Sequence, residues 1–105
     1  MNKENEELLT LNLKKEWYDM IESGEKKEEY RELKSYWFKR LTEEHGEASE
    51  FVEIKHFDKV KFVYGYTKRS MIFKIDDITI STGNVEWGAE EGKKYFVIKI
   101  GERIR

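Results

Sequence analysis

Residues 8–31 read LLTLNLKKEWYDMIESGEKKEEYR, and this stretch decides how the fold begins. The first six, Leu8 to Leu13, are mostly apolar and partly alternating over the short length typical of a strand. Gly24 follows a helical pattern and accepts the left-handed conformation that ends helices. The sequence predicts a first strand, then a helix from about Lys15 to Ser23, whose apolar residues at helical spacing are Trp17, Met20 and Ile21.

The charged segment from Lys27 to Glu32 fits two interpretations. Its composition favours a helix, whereas in a strand Glu29 and Arg31 would share one face with Tyr30 on the other. A second helix is predicted from the i, i+3, i+4 spacing that starts at Leu33, with His45-Gly46 as an end signal and a polar loop through Glu50. The apolar and cationic positions that repeat in this helix are Leu33, Tyr36, Trp37, Arg40 and Leu41.

The second half is rich in β-type sequence. Val60 to Tyr66 alternates as a half-buried strand does. Residues 71–75 and 78–80 flank Asp76-Asp77, as two strands around a turn or one long bulged strand. After the turn-rich residues 81–84 and the segment 85–88, Tyr95 to Ile100 forms a last strand. This order disfavours a doubly wound parallel sheet and predicts an α+β fold.

Length and composition limit the class of protein. At 105 residues the chain fits one domain, 1–105, and its 14% aromatic residues can close a small core. The absence of cysteine excludes disulfides, thiolate zinc sites and a cysteine nucleophile, and fits a cytoplasmic location. The polar start lacks a secretory pattern, and we expect residues 1–6 to be flexible and no segment to span a membrane.

The charge is unevenly distributed along the chain. The formal net charge is -2, so no global field attracts polyanions. Residues 1–50 hold 9 Lys and Arg against 14 Asp and Glu, whereas residues 51–105 hold 11 against 8. A basic surface would therefore come mainly from the second half.

The segment Gly24-Glu25-Lys26-Lys27-Glu28-Glu29-Tyr30-Arg31 resembles the GxKxxExR signature of the ASCH family, matching at Gly24, Lys26, Glu29 and Arg31. The preceding strand and helix, and Glu86-Trp87-Gly88 before the last strand, are also similar to small ASCH proteins. The resemblance covers nearly the whole chain. It implies a PUA-like small β-barrel of about five to six strands, with two helices in the N-terminal half.

The resemblance also implies a class of function. ASCH proteins are thought to bind RNA or nucleotides, and some small members hydrolyse an amide on an acylated cytidine or cleave RNA. The amidohydrolases use a Lys and a Thr three residues apart together with a distant Glu. Here Lys26 matches the Lys, Glu29 stands in place of the Thr, and Glu86 is a candidate for the distant Glu.

The local chemistry of this segment is compatible with a ligand site. Glu29 could orient a cation, and Arg31 could fork onto a phosphate or a carbonyl at the mouth of a nucleotide-sized cleft. If Lys26 lies against helical aromatics, desolvation would lower its pKa and make it a candidate base. The alternative is a surface ion-pair ladder that contributes little.

Aromatic and basic residues elsewhere extend the candidate site. Tyr36, Trp37 and Phe38 cannot all face one core, so at least one should face a cleft or solvent, with Trp37 itself expected in the core. Trp87 is a further candidate for contact with the ligand. Between residues 59 and 74 basic residues interleave with aromatics, either as a nucleic-acid surface or as an amphipathic sheet with its aromatics inward. The sheet is favoured, with Lys68-Arg69 in a hairpin turn as the best phosphate contact.

Other classes of site have little support. His45 and His56 are the only histidines and lack a second ligand at a useful spacing, so we expect surface positions and no metal or cofactor. Ser81-Thr82-Gly83 lacks both common phosphate-binding fingerprints. Three hypotheses remain: an RNA- or nucleotide-binding module, a small hydrolase of a modified nucleoside or RNA that uses Lys26 with Glu29 or Glu86, and a protein-protein adaptor.

Overall fold

The computed structural model describes residues 8–43 and 53–105. Residues 1–6, which we expect to be flexible, lie outside these ranges. So do His45 and the predicted polar loop as far as Glu50, from residue 44 onward. The element order is β1 (Leu8–Leu13), α1 (Lys15–Ser23), β2 (Glu28–Arg31), α2 (Ser35–Leu41), β3 (Lys59–Tyr64), β4 (Ser70–Thr82), a 3₁₀ turn (Val85–Trp87) and β5 (Lys94–Arg103).

The five described strands form one curled sheet in the order β1-β3-β4-β5-β2. β1 runs parallel to β3, from Leu8 opposite Lys59 to Leu13 opposite Tyr64. The other pairings are antiparallel. The sheet is a half-barrel with β1 and β2 at its edges, which agrees with an α+β, barrel-like fold.

The main core lies on one face of the sheet. Alternate residues of β1 are buried, as its sequence pattern requires, and α1 adds Tyr18 and Ile21. Phe38 of α2 packs edge-on against Phe96 of β5, with ring centroids 5.0 Å apart. The buried strand and helix residues of this core are Leu9, Leu11, Leu13, Tyr18, Ile21, Leu41, Val60, Phe62, Met71, Phe73, Ile78, Phe96 and Ile98.

β5 is buried on both faces because a second, smaller cluster covers its other side. Tyr95 and Val97 pack there with Ala89, and Tyr30 of β2 lies against them. The loop between β4 and β5 supplies Ala89 and the 3₁₀ turn. The candidate site is built on this second face.

The structure decides between two alternatives and shortens two predicted elements. Residues 28–31 form a strand, and β4 is one long strand whose register shifts around Ile75 and Asp77. The predicted third strand ends at Tyr64 and not at Tyr66, because Gly65, with φ +54, starts a turn. The second helix ends at Leu41, where Thr42 is already extended, before the predicted stop at His45-Gly46.

Candidate ligand-binding site

The end of α1 directs Lys26 into the molecule. Gly24, with φ +90, donates its N–H to the carbonyl of Ile21, and the N–H of Lys26 bonds to the carbonyl of Met20 at 2.9 Å. The chain therefore reverses within two residues and enters β2. The side chain of Lys26 is only 1% exposed as a result.

The ammonium of Lys26 has polar and aromatic partners. Its Nζ donates to the backbone carbonyl of Trp87 at 2.7 Å and lies 3.2 Å from Oε1 of Glu29. The ring centroids of Tyr30 and Trp17 lie 4.8 and 5.3 Å away, within the range of cation–π attraction. One lysine thus joins α1, β2 and the 3₁₀ turn.

Burial lowers the pKa of Lys26, and the nearby carboxylate of Glu29 opposes this shift. Lys26 therefore lies against a helical aromatic residue, Trp17, and has the lowered pKa that such contact was expected to cause. A lysine with a lowered pKa loses its proton at a lower pH than a surface lysine, which makes it a better candidate for a base.

Arg31 extends the cluster to the other edge of the sheet. Its Nη2 donates to Oε2 of Glu29 at 2.7 Å and to the carbonyl of Asn12 in β1 at 3.0 Å. The guanidinium lies over the ring of Trp37, 5.2 Å from its centroid. Nε of Arg31 is buried and has no acceptor among the described residues. Both oxygens of Glu29 are thus held by cations, and the cluster carries a net charge of about +1.

A small hollow of about 100 Å³ lies beside this cluster. Drug-sized ligands occupy pockets of about 300–1,000 Å³, so the hollow has room for one ring or one functional group. Its wall combines aromatic rings with one carboxylate and one glycine: Trp17, Glu29, Tyr30, Trp87, Gly88 and Tyr95.

Tyr30 is fixed in this wall by two hydrogen bonds. Its hydroxyl donates to Oε1 of Glu28 and accepts from the N–H of Asn84, each at 2.8 Å. Burial raises the pKa of Tyr30 well above its ordinary value, so the hydroxyl is neutral at physiological pH. The carboxamide of Asn84 accepts from the N–H of Glu86 and caps the 3₁₀ turn. The loop that carries Trp87 is therefore attached to the ring of Tyr30.

Several residues expected at the site do lie together. Lys26, Glu29 and Arg31 form one bonded cluster, and Trp87 lines the hollow beside them. Trp37 is partly buried against the core, as expected, and stacks with Arg31. Tyr36 is the aromatic of α2 that faces solvent, with 58% of its surface exposed and its ring edge-on to Trp37.

Other expected residues lie elsewhere. Glu86 is exposed on the 3₁₀ turn, next to the lining residue Trp87. Lys68 and Arg69 lie in the turn between β3 and β4, where Nη2 of Arg69 is 3.2 Å from Oε1 of Glu22. The prediction of an amphipathic sheet with its aromatic residues inward holds for Phe62 and Phe73, which are buried in the adjoining strands. It does not hold for Tyr66, which is fully exposed.

The predicted site did not include four residues that line the hollow: Trp17, Tyr30, Gly88 and Tyr95. Trp17 carries the signal of a core-facing helical residue, and Tyr30 and Tyr95 fit ordinary strand alternation. Because β2 and β5 are far apart in sequence, their pairing, with Tyr30 opposite Val97, had no local signal.

The described residues contain neither a group of potential metal ligands nor a helix long and apolar enough to cross a membrane. His56 is exposed, as expected, with Nε2 2.6 Å from Oδ1 of Asp58. Two larger hollows, of about 380 and 290 Å³, share Lys55, His56 and Phe57. Both lie at residues 54–57, away from Lys26, Glu29 and Arg31.

Comparisons of this chain with family models, with curated proteins and with solved structures found no match.

Proposed function

We propose that this chain is a nucleotide- or RNA-binding module of the ASCH type, and that the hollow takes one nucleobase. The observation that carries this proposal is the composition of the hollow, in which the rings of Trp17, Tyr30, Trp87 and Tyr95 surround space for about one planar ring beside the carboxylate of Glu29. Stacking of a base on an aromatic side chain contributes roughly 1 to 3 kcal/mol in single-strand binders.

The polar wall of the hollow supports a base over a purely apolar group. The carboxylate of Glu29 has one cation on each oxygen, yet each carboxylate oxygen accepts two hydrogen bonds. It can therefore accept from an exocyclic amino group of a base, as acidic side chains do in nucleic-acid recognition. Lys26 and Arg31 hold the carboxylate in position for this contact.

The charge of the cluster favours an anionic ligand. Two cations outnumber one carboxylate, and aromatic faces that already hold the ammonium of Lys26 are poorly suited to a second cation. A nucleotide brings both a stacking ring and a negative phosphate. The resemblance of residues 24–31 to the ASCH signature supports the same class of ligand.

A small hydrolase is the second candidate, and one observation favours it. Lys26 has a lowered pKa and lies 3.2 Å from Glu29, which lines the hollow, so a proton-transfer pair adjoins the ligand space. In this reaction Lys26 would act as base on a modified nucleoside or RNA, and its bond to the carbonyl of Trp87 would have to open. Turnover of an acylated nucleoside that disappears in Lys26→Ala would support the enzyme.

The module is tested by titrating nucleoside monophosphates and short RNAs while following tryptophan fluorescence and thermal stability. Trp87→Ala removes the stacking ring but keeps the backbone carbonyl that holds Lys26, so we expect affinity to fall about fivefold or more. Val85→Ala, an exposed position on the same 3₁₀ turn, serves as the control and should bind normally. Equal affinity of Trp87→Ala and wild type would contradict the proposal, and no binding across the panel would favour the adaptor.

A further inference from the structure

The turn between β3 and β4, residues 65–69, projects a second aromatic and basic surface. The hollow accommodates about one ring, so a longer ligand must bind additional residues outside it. Tyr66 has the most exposed side chain among the large apolar residues of the described ranges, with its whole surface in solvent. Single exposed aromatic side chains are common on protein surfaces, so Tyr66 gains meaning only together with the ordered turn that carries it and the cations near it in the chain.

The turn that presents Tyr66 is ordered by its own hydrogen bonds. The hydroxyl of Thr67 donates to the carbonyl of Tyr64 at 2.7 Å and accepts from the N–H of Arg69 at 3.1 Å. The N–H of Gly65 bonds to the carbonyl of Leu13 at 3.1 Å and attaches the turn to the end of β1. Tyr66 is thus presented on a preorganised support, which reduces the entropy lost on binding.

Three cations lie close to Tyr66 along the backbone: Lys68 and Arg69 in the same turn, and Lys14 next to Leu13, whose carbonyl accepts from Gly65. Lys14 follows Leu13 directly, and Lys68 lies within the turn; both are exposed, and neither forms an ion pair with another described residue. Arg69 is half exposed and stacks over Tyr18 and Tyr64, at 5.2 and 5.6 Å from their ring centroids. One of its five N–H donors faces Glu22, which leaves others for a ligand.

The turn and the hollow adjoin the same helix. Trp17 of α1 lines the hollow, whereas the next residue, Tyr18, lies under the guanidinium of Arg69. Successive helical residues differ by about 100° in direction, so the two surfaces flank α1, which is about 10 Å across. A short stretch of single strand can cover this distance.

We propose that Tyr66, Lys14, Lys68 and Arg69 form a binding surface for single-stranded nucleic acid, which continues the strand whose base occupies the hollow. Tyr66 stacks one base, and the three cations contact phosphates. This inference rests on the proposed function and deepens it, since it gives a polynucleotide ligand a second contact surface outside the hollow. The chain as a whole carries a net charge of -2, so its overall field does not attract a polyanion. A polyanion would therefore have to bind at a local basic surface such as this one.

The test compares a nucleoside monophosphate with fluorescent eight-residue oligouridylate and oligodeoxythymidylate, using anisotropy at several salt concentrations. We expect the oligomers to bind more tightly than the monophosphate, and Tyr66→Ala to weaken oligomer binding about fivefold or more. Lys14→Ala/Lys68→Ala should reduce the slope of log affinity against log salt by about 1.4, since each single-strand phosphate contact contributes about 0.7. Binding of the ribose or the deoxyribose oligomer, or of both, identifies the natural class.

Lys59→Ala is the matched control, because Lys59 is exposed on β3 at the end opposite the turn, roughly 20 Å away along the strand. It should retain wild-type affinity and salt slope. Monophosphate binding should be unchanged in the turn variants. Wild-type oligomer affinity in Tyr66→Ala and in the double variant would overturn this inference and leave the hollow intact, whereas loss of all binding by wild type would overturn both proposals.

Discussion

Among the lysines of the described ranges, Lys26 is the one that is buried. Its ammonium is buried but has two oxygen partners and two aromatic faces, which together replace the water it has lost. Breaking a buried pair is costly because the remaining charge is left without compensation. Removing one partner of the Lys26–Glu29 pair should therefore destabilise the fold more than removing one partner of an exposed pair does.

Removing the ammonium tests this argument. Lys26→Met keeps the length of the side chain but leaves Glu29 with Arg31 as its cation, and we expect the free energy of unfolding to fall by about 3 kcal/mol. Lys26→Met/Glu29→Gln should lose less than the sum of the two single variants, since the pair is removed together. Urea denaturation measures all of these values.

The control for this cycle is an ion pair on the surface of α1. Nζ of Lys15 lies 2.7 Å from Oδ2 of Asp19, which is closer than Lys26 to Glu29, yet both side chains are exposed. Lys15→Met should leave stability nearly unchanged because water screens this pair. Additive losses in the Lys26 cycle would show that the buried pair is not coupled.

The elements differ in how far their sequence determined them. β1 and α1 match their predicted ranges because a clear apolar pattern and a capping glycine mark them locally. β2 stayed ambiguous because its Lys and Glu residues favour a helix, and its pairing with β5 overrides that propensity. β4 likewise continues as one strand past Asp76-Asp77 because its register against β5 shifts there. In such a bulge an extra residue needs no partner on the neighbouring strand.

The candidate site shows the same division. Lys26, Glu29, Arg31 and Trp87 could be chosen from the sequence because they lie in two short segments with distinctive residue types. The aromatic wall could not, since it forms only where strands distant in sequence pair. The sequence could not show whether Lys26 lies against a helical aromatic residue. In the structure it does, and that residue is Trp17.

The loop after β4 packs so closely on β2 that one glycine is required there. A Cβ added to Gly83 would lie 2.6 Å from the ring of Tyr30 and 2.9 Å from Cβ of Ala89. Because two hydrogen bonds hold this ring, it cannot easily move, and Gly83→Ala should cost about 1 to 3 kcal/mol. Denaturation, with the NMR signals of Tyr30 as a local probe, measures the effect.

Gly101 provides the comparison for Gly83→Ala. A Cβ at Gly101 would contact Oδ1 of Asp76, the end of an exposed side chain that can rotate away, and would lie 3.3 Å from the carbonyl of Lys74, a milder contact than those at Gly83. Gly101→Ala should therefore cost clearly less than Gly83→Ala. Similar losses for the two variants would mean that the Tyr30 ring yields as readily as a surface carboxylate.

At the scale of the whole molecule, the half-barrel brings its two edge strands within reach of one side chain. β1 and β2 are the ends of the sheet, and Arg31 of β2 donates to the carbonyl of Asn12 in β1 while it also binds Glu29. Sheet edges expose unpaired backbone groups, which a barrel removes by closing. Here a guanidinium provides one link across the gap in place of a backbone ladder.

Arg31→Ala should therefore loosen both edges of the sheet together. We expect a loss of about 1.5 to 3 kcal/mol, typical of hydrogen bonds to charged groups, and faster amide hydrogen exchange in both β1 and β2. Arg31→Lys should restore little, because a lysine lacks the planar guanidinium that lies over the ring of Trp37 and positions Nη2 between Glu29 and Asn12. Arg40→Ala removes the other guanidinium over Trp37, 5.5 Å from the ring, and should leave the exchange in β1 and β2 unchanged. If the amide exchange of β1 is unchanged in Arg31→Ala, then β1 does not depend on its bond to Arg31, and the two edges of the sheet are stable without this link.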